Sequence, residues 1–90
     1  MAKPMKKVVI VEDEPDTAEM FAEMMRLSGY QVYKSYGGVA ALALIDEHKP
    51  DAVVLDVMMS DLSGLDVLRQ MRQNPEMVDI PVVVASAKSL

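Results

Sequence analysis

Three short runs of mostly β-branched residues, Val8-Val9-Ile10-Val11, Val53-Val54-Leu55 and Val82-Val83-Val84-Ala85, show no alternation of apolar and polar positions. A strand with one face in water alternates, so an unbroken apolar run of this length marks a strand covered on both faces. A parallel sheet with helices above and below it meets that condition. Each run also leads into polar residues: Glu12-Asp13, Asp56 and Ser86. In an open α/β sheet, ligands bind outside the carboxyl ends of the strands. Three carboxylates and a hydroxyl are thereby expected on one rim, a set of oxygen donors suited to a divalent cation and a phosphoryl group.

Strand-like and helix-like patterns alternate along the rest of the chain, which predicts βαβ units. Strand one covers residues 6–12. Helix one starts at Pro15, a residue favoured at the first helical position because it has no N–H to leave unpaired. Its inward face is expected to carry Thr17, Met20, Phe21, Met24 and Met25, and Gly29 to stop it. Strand two, residues 31–34, is short and partly polar, as an edge strand is. Gly37-Gly38 opens helix two, which runs to about residue 47 with Ala41, Leu42 and Ile45 facing in. Strand three covers residues 52–56. Helix three covers about 65–72, with Leu65, Leu68 and Met71 as its apolar stripe. Asn74-Pro75 breaks it, and Pro81 opens strand four. The methionines of helices one and three are expected to fill the core, and His48, close to Pro50, to be exposed.

At 90 residues the chain is expected to form one domain, 1–90. Its net charge of −5 argues against binding nucleic acid, whose phosphates attract Lys and Arg. No apolar stretch approaches the roughly 20 residues that span a bilayer, so no membrane contact is expected. Residues 1–7 are basic, but no hydrophobic signal region with a cleavage site follows. Without cysteine there is neither a disulfide framework nor a thiolate metal site. The expected location is cytoplasmic.

The segments VVIVEDEPD (8–16), PDAVVLDVMMSDLSG (50–64) and IPVVVASAK (80–88) resemble the receiver domain of bacterial response regulators. An acidic pair, an Asp 43 residues after Asp13 and a Ser-Ala 30 residues after that Asp form an ordered set. The resemblance implies a flavodoxin-like, doubly wound parallel sheet of strand order 2-1-3-4. It implies that Asp56 is the phosphoacceptor, a carboxylate nucleophile that forms an acyl phosphate. By the same resemblance Asp13 and Asp56 ligate Mg²⁺, Glu12 supports the ion, often through water, and the backbone carbonyl of Met58 completes the protein's share. Ser86 matches the hydroxyl that hydrogen-bonds the phosphoryl oxygens. The phosphodonor implied is a sensor histidine kinase, and the role is that of a self-modifying switch, not an enzyme with turnover. Crowding of three carboxylates independently favours a bound cation, and Mg²⁺ prefers such hard oxygen ligands.

The chain departs from the family pattern in two respects. Ser60 stands where a proline usually follows the phosphoacceptor by four residues. The family's later segments, which bring a fourth helix, a fifth strand, a fifth helix and a phosphoryl-pairing lysine, have no counterpart in the sequence; Lys88 follows strand four and is not that lysine. An incomplete receiver would leave strand four as an apolar edge, with a homo-oligomer or an element swap as the expected consequence. The alternative role is a non-phosphorylated receiver fragment serving as a structural or oligomerising unit. Other chemistries are disfavoured. An aspartyl-phosphate phosphatase of the haloacid dehalogenase type needs Asp-x-Asp, where Asp13-Glu14-Pro15 stands. The stretch around Asp61 lacks the ligand positions of a calcium loop, and no Gly-rich Lys-Ser/Thr loop is present.

Overall fold

Each apolar run becomes a parallel strand, and each helical pattern crosses from one strand to the next. The computed structural model describes residues 5–57, 59 and 62–85. Its elements are β1 (Lys7–Val11), α1 (Pro15–Leu27), β2 (Gln31–Ser35), α2 (Gly38–His48), β3 (Ala52–Leu55), α3 (Gly64–Gln73) and β4 (Val82–Val84). The sheet order is β2-β1-β3-β4, with every pair parallel. Val8 pairs with Val32 on one side and Ala52 on the other, so β1 lies inside the sheet and β2 at its edge.

Successive side chains of a strand point to opposite faces, and β1 divides accordingly. Val9 and Val11 join Val53, Leu55, Ala41, Ile45, Val67 and Met71 in a core beneath α2 and α3. Val8 and Ile10 join Val54 and Ala22 beneath α1, with Phe21 and Met25 packed against them. Both faces of β1 and β3 are thus covered, which is the reason these strands carry no polar alternation. The doubly wound fold and strand order expected above are present.

Several expectations about which side chains point inward need correction. On α1 the buried residues are Ala18 and Ala22, whereas Met20 and Met24 are 52% and 53% exposed. The stripe at 18, 22 and 25 has helical spacing as good as that through 20 and 24, and the two alanines let the helix lie close to the sheet. On α3 the buried residues are Gly64, Val67 and Met71, while Leu65 is exposed. β4 does not carry an apolar run covered on both faces, since Val83 and Val84 are exposed. His48 is partly buried, its ring stacked on Tyr33 with centroids 3.7 Å apart.

The helix ends follow local rules. The Gly29 N–H donates to Arg26 O and Tyr30 N–H to Met25 O, closing α1 around a glycine at φ 93°. α2 ends on Lys49 in the left-handed region, its ammonium paired with Asp46 and Glu76. Ser63 caps α3 by accepting the Leu65 N–H at 3.1 Å.

Candidate functional site

The strand register decides which polar residues meet. Val11 pairs with Leu55, so the residues that follow, Glu12 and Asp56, emerge side by side on the carboxyl rim. The Asp56 N–H donates to Val11 O at 3.0 Å and continues the ladder one residue past β3. Asp13 follows Glu12 in the turn before α1. A carboxylate oxygen from each of Glu12, Asp13 and Asp56 lies within 4.8 Å of the others. Glu12 and Asp56 are buried and Asp13 is half-buried.

Three carboxylates at this range repel one another. The Glu12 carboxyl is raised above the usual carboxylate range, first by burial and also by its contacts with Asp13 and Asp56. The Glu14 N–H, donated to Glu12 Oε2 at 3.0 Å, works in the opposite direction. A carboxylate held in a place that resists its charge is relieved by a cation as well as by a proton. The donor set, all oxygen and all acidic, matches the preference of Mg²⁺ for hard ligands. The residues present therefore fit a divalent ion of this kind.

Glu12, Asp13 and Asp56 are brought together as the sequence suggests. Met58, which would lend a backbone carbonyl, and Ser86, which would contact phosphoryl oxygens, lie outside the described residues, as do Ser60, Asp61 and Lys88. Around the acids the fold adds groups that the sequence did not single out. Ser35, buried at the end of β2, accepts the Glu12 N–H on its carbonyl at 2.9 Å and donates its own hydroxyl to Gly37 O at 2.7 Å. A polar residue two places before Gly37-Gly38, at the end of an edge strand, was the available signal.

Comparison with known proteins gives consistent similarities. The family model described as the response regulator receiver domain matches residues 8–90. The polar-differentiation response regulator DivK of Brucella anthropi is 34% identical over 82 residues, covering 91% of this chain and 67% of DivK. The probable transcriptional regulatory protein TcrX of Mycobacterium tuberculosis is 43% identical over 82 residues, covering 90% of this chain and 34% of TcrX. The chain thus spans two thirds of one relative and one third of the other. Among solved structures, the response regulator TrrA of Thermotoga maritima, in complex with Mg²⁺ and BeF, superposes with a TM-score of 0.86 at 30% identity. That match covers 94% of this chain and 72% of TrrA.

Proposed function

Because the chain belongs to the response regulator receiver domain family, we propose that it is a Mg²⁺-dependent phosphoacceptor whose acceptor is Asp56 and whose donor is a sensor histidine kinase. A role in two-component signalling comes with the family, whose members are signalling modules rather than classical enzymes. The observation that carries the finer reading is the convergence of Glu12, Asp13 and Asp56 within 4.8 Å on the carboxyl rim.

In the proposed reaction a carboxylate oxygen of Asp56 attacks the phosphorus of a phosphohistidine. The new P–O bond forms as the P–N bond breaks, and the imidazole nitrogen leaves with the bonding electron pair. Asp56 must be ionised to act, and the β1–β3 ladder holds its backbone so that its side chain stays on the rim. Asp13, Asp56 and Glu12 would hold the ion, with Glu12 oriented by the Glu14 N–H. When bound, the ion would offset negative charge on the transferring phosphoryl group. Met58 and Ser86 keep their proposed parts, a carbonyl ligand and a phosphoryl-contacting hydroxyl.

The test is treatment with a small acyl phosphate and MgCl₂, followed by intact mass measurement and peptide mapping. The expected result is one phosphoryl adduct on Asp56, absent in Asp56→Asn and absent when the metal is chelated. An adduct that persists in Asp56→Asn refutes the assignment.

A second reading, an oligomerising unit, draws on the exposure of Val83 and Val84 on β4, which stands last in the described sheet. Self-association through this strand predicts a sedimentation coefficient that rises with concentration and falls back in Val83→Lys. A concentration-independent monomer removes it.

No helix among the described residues is long and apolar enough to cross a membrane. A cytoplasmic location remains part of the proposal, as does the 1–90 single-domain organisation.

A further inference from the structure

The β2–α2 turn presses against the segment that follows Asp56, and the contact depends on a missing side chain. A Cβ built on Gly38 would stand 2.7 Å from the Leu62 carbonyl oxygen, 2.8 Å from Leu62 Cβ and 3.0 Å from Val67 Cγ2. Val67 is wholly buried in the core beneath α2 and α3 and has nowhere to retreat. Any displacement therefore falls on the Leu62 backbone. Two residues later a second close approach occurs. A Cβ on Gly64 would come within 2.3 Å of Asp56 O and 2.7 Å of Val57 Cα, while the Gly64 N–H donates to Val57 O at 3.3 Å.

These contacts close a circuit around the acids. Glu12 N–H binds Ser35 O, the Ser35 hydroxyl binds Gly37 O, and Gly38 abuts Leu62. Gly64 then abuts the Asp56 backbone, and the Asp56 N–H returns to Val11 O, beside Glu12. Glu12, Ser35 and Asp56, at the ends of three different strands, are thereby linked through Gly38, Leu62 and Gly64.

Resting on the reading of this rim as a metal-binding phosphoacceptor site, we infer that Gly38 is a positioning residue: its bare Cα lets the β2–α2 turn buttress Leu62 and so holds Asp56 at the spacing from Glu12 and Asp13 that a divalent ion requires. Mg²⁺ demands near-ideal octahedral geometry with short ligand distances, so a backbone shift of a few tenths of an ångström is felt in its affinity. Residues that only orient ligands commonly change metal affinity by about 10–100-fold when altered.

The experiment titrates the full chain with MgCl₂ by calorimetry, alongside denaturant unfolding, for the parent, Gly38→Ala and Gly29→Ala. Gly29 serves as the control because it sits at φ 93° in the α1–β2 turn with nothing within 4 Å of a built Cβ. Alanine there strains the backbone without touching the rim. Both variants are expected to unfold more easily, but Gly38→Ala should raise the Mg²⁺ Kd about tenfold and Gly29→Ala less than about twofold. In the metal-free chain the amide resonances of Glu12 and Val57 should move in Gly38→Ala and stay in place in Gly29→Ala. A Gly38→Ala chain that unfolds more easily yet binds Mg²⁺ with the parent's Kd overturns the inference. If Gly38→Ala does not fold, Leu62→Gly decides in the same titration, because it removes the Cβ facing Gly38 and loosens the contact. A Kd raised about fivefold or more supports the buttress, and a smaller change overturns it. A parent chain that binds no Mg²⁺ overturns the phosphoacceptor reading itself, and this inference with it.

Discussion

Replacing Asp13 with Asn removes one charge from a rim where three carboxylates stand within 4.8 Å of one another. At an effective dielectric of about 20, each fully ionised pair at that distance repels by about 3.5 kcal/mol, and Asp13 takes part in two such pairs. Two things reduce the figure. Asp13 is half in solvent, and the raised Glu12 carboxyl takes up a proton more readily than an ordinary carboxylate. A net gain of about 1–3 kcal/mol for metal-free Asp13→Asn at neutral pH is the expected result. Mg²⁺ should shrink that advantage by about 1.8 kcal/mol. At 100 times its Kd the ion stabilises the parent by about 2.7 kcal/mol, whereas a variant binding about 30-fold more weakly gains less than about 1 kcal/mol at the same concentration.

The measurement is urea unfolding followed by far-ultraviolet circular dichroism, since the chain has three Tyr and no Trp, in EDTA and in MgCl₂. The pH trend gives an internal check. The Glu12 carboxyl is raised in the folded chain, so its contribution to stability is present below the ordinary carboxylate range and lost as pH rises through the raised value. Above the ordinary carboxylate range, metal-free parent should therefore lose stability as pH rises toward neutral, and MgCl₂ should cancel that loss. An Asp13→Asn chain that is less stable than the parent in EDTA, or gains as much as the parent from Mg²⁺, refutes the electrostatic reasoning.

Lys34 and Arg26 beside Glu19 hold its carboxyl down to about 2. Stability from this group is present above the ordinary carboxylate value and lost as pH falls toward about 2. The parent should thus exceed Glu19→Gln at neutral pH, by an amount that shrinks in acid and in high salt, as followed by thermal unfolding. Equal unfolding midpoints at low salt and neutral pH would show that the pair contributes nothing. Met71, wholly buried beneath α2 and α3, should cost about 2–5 kcal/mol on Met71→Ala by urea unfolding. A loss below about 1 kcal/mol would mean that the helix collapses onto the gap.

The amino-acid order determined those features that are local in the chain. The unbroken runs Val8–Val11 and Val53–Leu55 became doubly covered strands, because period and burial are written into adjacent residues, whereas the same pattern at Val82–Val84 stands last in the described sheet with Val83 and Val84 exposed. Polar residues directly after the runs then share one rim, because parallel strands all end in the same direction. That is why Glu12, Asp13 and Asp56 could be nominated together before any coordinate was known. What the order left open is which of two equally periodic stripes a helix turns inward. Large methionines at 20 and 24 competed with small alanines at 18 and 22. Close packing on the sheet favoured the alanines, and only tertiary contact decides between a big apolar side chain and a near approach. His48 lies against Tyr33, and Gly38 against Leu62, for the same reason. These neighbours are far apart in sequence, and their meeting is set by how a helix seats on a twisted sheet rather than by any pattern within either segment.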